Sequence, residues 1–432
     1  MSGRSRVARL DGVSSEALWI GQCELLDGWD VVAAAPDEMP AAPFEKARVL
    51  VRERHRPLGF ATVPLEHGRV TTAELQREVS RLRAESRCGA RSDQLAKPGE
   101  VGGHEPVGAV APPVTVAICT RDRPRLLARS LAAVQQVEYP TFEILVVDNA
   151  PTDTGTRTVV RAAAAADDRV RYVVEPQPGL SHARNRALEA ASWEVVAFTD
   201  DDVVADRYWL AGLGSGFLTG PEVACVTGLV PAARLLTPAE RYFDARVEWS
   251  HRMWPARYSL DHAPEGDRLF PYHPGVFGAG ANFAVDRSVM SAIGGFDPCL
   301  GAGSPTGGGE DLDAFVRVVR ASKTLCYQPA AIVWHFHRPE IEGLAAQVRD
   351  YGRGIAAVVT KWLLASDTRE EVLDRVLPMV NHVAAMWRTR APARSPLGAR
   401  LMAMEMLGAA QGTLAYLRAR HALTRKPGAR PR

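Results

Sequence analysis

No stretch of the 432-residue chain is apolar for long enough to span a bilayer; the nearest, Leu397 to Leu417, contains Arg400 and Glu405. No Cys-x-x-Cys pair occurs among the six widely spaced cysteines, Cys23, Cys88, Cys119, Cys225, Cys299 and Cys326. That spacing argues against a zinc site or a disulfide framework and fits a reducing cytosol. Cys119, Cys225 and Cys326 lie in apolar strand-like runs, where a thiol acts as a small hydrophobe. Charge of one sign is missing too: 52 Lys and Arg face 50 Asp and Glu, and no basic-aromatic stripe appears. Nucleic acid is therefore not an expected partner. Arginines near Met1 are followed by no apolar segment, so no secretory leader is expected.

What is present is an ordinary globular composition, 46% hydrophobic and 24% charged. Residues 1–83 read as a small α+β module. Strands at Arg48–Arg52 and Gly59–Val63 precede a helix from Thr71 or Thr72 that carries Leu75, Val79 and Leu82 on one face. Residues 84–113, rich in Gly, Pro, Ser and charge, read as a linker. From 114 to 340 strand and helix patterns alternate: strands at Val114–Cys119, Phe142–Val147, Val170–Val174 and Val195–Thr199, with helices between them. Such alternation implies βαβ units in an α/β layered domain, whose ligands bind outside the carboxyl ends of the strands. Later segments read as a helix at Ala239–Met253, a strand at Gly278–Val285, a helix at Asp311–Ala321, and two short strands at Thr324–Gln328 and Ala331–Trp334. Residues 341–432 read as helical, with a basic, disordered tail from Arg418.

Three consecutive aspartates, Asp200-Asp201-Asp202, close the apolar run Val195–Thr199. Carboxylates massed at the end of a buried strand are costly unless a cation or hydrogen-bond donors compensate them. Mg²⁺ and Mn²⁺ are usually held by one or two carboxylates together with substrate phosphates. The residues thus point to a metal-assisted phosphate site, against the plainer reading of a solvated acidic turn. Thr120, Asp148 and Asp200 all fall at strand ends, as one shared cleft requires.

Eight segments, in order, resemble the catalytic domain of glycosyltransferase family 2: TVAICTRDRP (115–124), ILVVDN (144–149), GLSHARN (179–185), FTDDD (198–202), GAGANF (278–283), GGFD (294–297), GGEDLD (308–313) and WHFHR (334–338). The resemblance implies a GT-A fold, a Rossmann-like mixed α/β sheet, and an inverting single displacement from a nucleotide-sugar donor to an acceptor hydroxyl. It assigns the donor to Thr120, Arg121, Asp122, Asp148, Arg184, Asp200 and Asp201. Asp202 and His335 would hold Mn²⁺ or Mg²⁺. Asp311 would be the general base, with Glu310 beside it.

Each assignment has a plainer counterpart. Asp148 precedes good cap formers, Glu310-Asp311 complements the dipole of a following helix, and His335 or His337 would serve packing alone. Two other functions also compete: a sugar-phosphate nucleotidyltransferase, which normally carries a glycine-rich phosphate loop that Thr120–Pro124 lacks, and a nucleotide-sugar binding or scaffold protein without catalysis. The acceptor class stays open among glycans, lipid-linked compounds and small molecules. Trp249, Trp254, Tyr258 and Tyr272 offer stacking faces for it. Arg388, Arg390, Arg394 and Arg400, near the Leu397–Leu417 stripe, keep peripheral contact with the inner face of an anionic membrane open for this otherwise cytoplasmic chain.

Overall fold

The computed structural model describes residues 16–35, 40–41, 43–89, 111–273, 275–389 and 395–425. The chain begins with β1 (Trp19–Glu24), β2 (Val32–Ala33), β3 (Lys46–Glu53), β4 (Arg56–Glu66), β5 (Arg69–Val70) and α1 (Thr72–Gly89). These strands form a five-stranded sheet in the order β2-β1-β3-β4-β5. The strand pair expected at 48–52 and 59–63 is the antiparallel hairpin β3–β4. Because successive strand residues face opposite sides, Ala47, Val49 and Val51 pack with Leu75, Val79 and Leu82 of α1. Helix α1 continues six residues into the stretch read as a linker. Its later turns are supported by Arg81, which pairs with Glu78 at 2.8 Å and Glu85 at 2.7 Å. The rest of that stretch, 90–110, lies outside the described residues.

The second sheet follows the alternation in the sequence: β6 (Val114–Thr120), α2 (Pro124–Gln135), β7 (Phe142–Asn149), α3 (Gly155–Ala164), β8 (Val170–Glu175), α4 (Leu180–Ala190) and β9 (Val195–Asp200). After these come β10 (Val203–Ala205), α5 (Trp209–Phe217), β11 (Val223–Leu229), α6 (Pro238–Arg246), β12 (Ala256–Tyr258), β13 (Asn282–Asp286), α7 (Arg287–Ala292), α8 (Glu310–Arg320) and β14 (Thr324–His335). The order is β10-β14-β11-β13-β9-β6-β7-β8, with β12 beside β14. β6 runs parallel to β7 and β9, whereas β13 is antiparallel to both β9 and β11, so the sheet is mixed. Asn282 fixes that inserted strand: its amide donates to Leu229 O at 2.9 Å and Ala331 O at 2.8 Å, and its carbonyl accepts from Trp209 Nε1 at 2.8 Å.

Several boundaries differ from the pattern-based reading, each for a local reason. Thr324–His335 is one strand rather than two. It crosses Pro329 where its register against β11 shifts, and an irregularity of that kind tolerates a missing N–H. The helix read over Ala239–Met253 starts at a capping box of Thr237 and Glu240 but stops at Arg246, where Val247 turns extended at φ −96°. β13 starts at Asn282 because Gly278 takes φ +117°, outside strand geometry.

The N-terminal sheet packs its free face on the second sheet. Ile20 and Leu50 join Val204, Ile332 and Trp334 in one buried cluster, and Arg52 bonds Asp206 at 2.7 Å across the contact. At the other end lie α9 (Ile341–Leu364), α10 (Arg369–Leu373), α11 (Val376–Thr389) and α12 (Pro396–Thr424). α12 lies hard against α9; a Cβ on Gly408 would fall 1.9 Å from the Arg349 carbonyl oxygen. Residues 418–424, read as the start of a disordered tail, are helical, and 426–432 lie outside the described residues. No described helix is long and apolar enough to cross a membrane.

Candidate active site

A cleft of about 1050 Å³ opens at the carboxyl ends of β6 and β9, between the sheet and the C-terminal helices. Its wall includes Thr120, Arg121, Arg184, Asp200, Asp201, Asp202, Glu310, Asp311 and His335, which the folded chain brings together from five separate segments. Asp148 and Asp122 lie outside that wall. Asp148 is fully buried at the end of β7 and accepts a 2.6 Å hydrogen bond from the Tyr172 hydroxyl. Asp122, at φ +53°, accepts from the Thr152 N–H at 2.9 Å and shapes the loop after β6. Instead of Asp148, its neighbour Asn149 reaches the cleft, with its carbonyl accepting from Gly179 N at 2.9 Å and its amide donating to Gln177 O at 2.7 Å.

The three aspartates have separate surroundings. Asp201 turns inward, accepting from Thr120 Oγ1 at 2.6 Å and from Arg123 Nη1 at 3.2 Å. Asp200 faces the cleft 3.9 Å from Arg184 Nη2; burial first, then the charge of Asp202, pushes its carboxyl up to about 7. Asp202 lies 3.4 Å from His335 Nε2. Burial alone would raise Asp202, but the His335 imidazolium and then Arg123 outweigh it and hold the carboxyl down at about 2. Burial likewise opposes the charge on His335, yet Asp202 outweighs it and raises the imidazole. Behind it, His337 Nδ1 lies 3.0 Å from His335 Nδ1, and burial followed by the charge on His335 holds His337 well below its usual value. With protons on both ring nitrogens, the His335 imidazolium turns Nε2 to Asp202 and Nδ1 to His337, whose Nδ1 is then the acceptor.

Arg184 is the hub of the site, 2% exposed. Its Nη1 donates to Glu310 Oε1 at 3.0 Å and its Nη2 to Gly280 O at 2.8 Å, and its guanidinium lies 5.1 Å from the Phe283 ring centre. Burial disfavours its charge, but Glu310, Asp200 and Asp311 more than offset that and raise it. Expected near the donor's nucleotide or diphosphate, it lines the cleft and is also bonded to the protein's own Glu310. Glu310 opens α8 behind Gly309, which takes φ +91°; burial, then Asp311, pushes Glu310 up to about 7. Asp311 accepts from Gly280 N at 2.9 Å and Leu312 N at 2.8 Å. A Cβ on Gly280 would fall 2.6 Å from the Asp311 oxygen, so only glycine lets that backbone approach so closely.

Of the four aromatics singled out for an acceptor, Trp249 lines the cleft. Tyr258 and Tyr272 are buried in the core, the latter donating to Glu371 at 2.8 Å. The far wall was not anticipated: α9 supplies Asp350 and Tyr351, α11 supplies Met379 and His382, and α12 supplies Met406. Arg123 and Arg338 also line the cleft, and both stand inside segments already quoted, TRDRP and WHFHR.

Among the described residues no three His, Cys, Asp or Glu side chains converge as a complete cation cage. Asp202 and His335 nevertheless offer an oxygen and a nitrogen 3.4 Å apart on the cleft wall. Such a pair suits an ion that completes its shell with phosphate and water.

A family model described as "Glycosyltransferase like family 2" matches residues 112–357, more than half of the chain. The chain belongs to glycosyltransferase family 2. Its mixed sheet, with acidic residues at the β9 end and the α8 start, is the GT-A arrangement the motifs imply. It is 31% identical over 183 residues to a pre-mycofactocin glycosyltransferase of Mycobacterium tuberculosis, covering 42% of this chain and 35% of that one. It is 28% identical over 236 residues to the succinoglycan biosynthesis protein ExoM of Rhizobium meliloti, covering 54% and 69%. The match thus spans about a third of the length of the mycobacterial relative. Among solved structures, a mannosyltransferase of Pyrobaculum calidifontis in complex with GDP-Man and Mn²⁺ is similar over 74% of this chain and 82% of its own, at 21% identity and a TM-score of 0.46.

Proposed function

We propose that this chain transfers a sugar from a nucleoside-diphosphate sugar to an acceptor hydroxyl, with inversion at the anomeric carbon. In that step the acceptor oxygen bonds to the anomeric carbon as the bond to the diphosphate oxygen breaks. The leaving electron pair stays on the diphosphate, and the acceptor proton goes to Asp311. The observation that carries the reading is that Asp202 with His335, and Asp311, share one cleft. Asp311 is held by two backbone N–H groups and retains lone pairs to take a proton. Asp202 and His335, the latter giving up its Nε2 proton on binding, would hold Mn²⁺ or Mg²⁺, which when bound offsets charge on the diphosphate. Arg121, Arg123 and Arg338 face the same space and add positive charge for phosphate. Glu310 and Arg184 brace the base's helix rather than meet the donor, and Asp201 braces the loop after β6 through Thr120.

Division of the chain into an N-terminal module, a catalytic unit and a helical C-terminal region supports this reading, because the N-terminal sheet packs behind β10 and β14, which carry the Asp202–His335 corner. Buried, unlinked thiols at Cys23, Cys225, Cys299 and Cys326 support a reducing compartment. The test is incubation with a panel of nucleotide sugars and Mn²⁺, following nucleoside-diphosphate release and reading the product anomer by NMR. Release that depends on the added divalent ion, with an inverted product, is the expected result. A retained anomeric configuration, or release that chelator leaves untouched, would refute the mechanism.

A further inference from the structure

The C-terminal helices carry an apolar surface that no described residue covers. α12 buries one face, through Leu401, Gly408, Gly412 and Ala415, against the rest of the protein. Its opposite face is apolar as well: Leu407, Leu414 and Leu417 are 41%, 51% and 43% exposed. A helix that is apolar all round ordinarily has a partner on every side. From Met406 to Leu417 the helix carries no charged residue. α11 repeats the pattern, with Leu377 and Val380 at 68% and 58% exposure.

Charge identifies the partner. Residues 375–432 hold eleven of the chain's 52 lysines and arginines but one of its 50 acidic residues, Glu405, so this segment is +10 while the remainder is −8. Glu405 itself is paired with Arg246 at 2.5 Å. Arg400 stands before the apolar face of α12, and Arg418, Arg420 and Arg425 follow it, all exposed. A second copy of the chain would set +10 against +10. An acidic protein would satisfy the arginines but has no reason to cover leucines. A bilayer with anionic headgroups offers acyl chains and negative charge on one surface, and a helix with this layout lies in its interface.

We propose that the outer faces of α11 and α12 rest on an anionic membrane, and that the acceptor enters the cleft from that surface attached to a lipid. The same two helices line the cleft through Met379, His382 and Met406, so its rim adjoins the bare faces. The acceptor class rests on the reading of the cleft as a transferase site; the membrane contact does not.

The experiment floats the full chain with vesicles of phosphatidylcholine alone or with phosphatidylglycerol added, and compares Leu407→Glu/Leu414→Glu/Leu417→Glu. The native chain should float with the anionic vesicles and stay behind with the neutral ones. The triple variant should bind the anionic vesicles at least about 30-fold more weakly, since three exposed leucines that would enter the bilayer are replaced by charges. Its melting temperature and its vesicle-free donor hydrolysis should match the native chain. If the triple variant fails to fold, Arg418→Ala/Arg420→Ala decides, with about a 10-fold loss expected on anionic vesicles and unchanged binding overturning the proposal. Failure of the native chain to float, or undiminished binding by the triple variant, overturns it as well. So does light scattering that shows a native dimer, abolished by the triple variant, without vesicle association. Floating without donor turnover would refute the transferase reading and leave the membrane surface standing.

Discussion

At the end of β9 three carboxylates follow one another out of a strand; at the start of α8 three lie within a single helical turn. Each group assigns its members the same three places. One is an internal anchor: Asp201, bonded to Thr120 at 2.6 Å and Arg123 at 3.2 Å, and Asp313, bonded to Arg317 and Lys361 both at 2.8 Å. One leans on the shared cation Arg184: Asp200 at 3.9 Å and Glu310 at 3.0 Å. The third, on a cleft wall that the others also line, has neither of those duties: Asp202 and Asp311. The clusters part company at this third place. Asp202 is paired with an imidazolium and kept ionised, whereas Asp311 is held by backbone N–H groups, with no cationic side chain bonded to it among the described residues. A permanently charged oxygen suits a metal ion, and an unpaired one suits a travelling proton. The same residue type thus meets two different chemical settings through its neighbours, which is what the proposed roles require.

Removing what the clusters share should have the largest effect. Arg184→Ala leaves Glu310 buried without its partner, and we expect a loss of about 3–5 kcal/mol in urea unfolding. A loss below 1 kcal/mol would mean that the two carboxylate groups do not depend on a common cation. Asp202→Asn should lower donor turnover by about 10³, because the proposed cation site loses its anionic oxygen. Asp311→Asn should cost about 10² in kcat and leave the donor KM near the native value. A rise in KM with kcat preserved would move Asp311 from proton acceptor to donor contact.

The smallest effect concerns pH. Glu310 is raised from 4.5 to about 7, so between those values the folded chain keeps a proton that the unfolded chain has released. Its contribution to stability is complete below pH 4.5 and is lost as pH rises through 7. Glu310→Gln cannot ionise and should flatten that decline. An identical slope in both proteins across this window would show that Glu310 does not titrate as described.

Much of this arrangement is legible in the sequence, and the illegible part has a pattern. Apolar runs ending in polar residues located β6, β7 and β9 within a residue or two, because parallel strands buried on both faces leave a continuous signal. The insertion of β13 between β9 and β11 left no such trace; it depends on Asn282, whose bonds reach residues 49, 53 and 73 positions away. Motifs placed Asp202, Asp311 and His335 in the cleft but could not say which polar groups spend their hydrogen bonds inside the protein. Asp148 meets Tyr172 and Arg184 meets Glu310, contacts that periodicity does not encode. The C-terminal wall escaped notice for a related reason: whether a Leu- and Met-rich helix covers a cleft, a core or neither is decided by docking, and α12 docks through glycines that read as helix weakeners.

The division between the two clusters is tested most directly by nucleoside-diphosphate binding, measured as thermal stabilisation with and without Mn²⁺ in the native chain, Asp202→Asn and Asp311→Asn. The native chain and Asp311→Asn should be stabilised equally, and only when Mn²⁺ is present, while Asp202→Asn should show no Mn²⁺-dependent shift. Equal Mn²⁺-dependent stabilisation of all three proteins, or loss of it in Asp311→Asn alone, would contradict the assignment of the cation to the β9 corner.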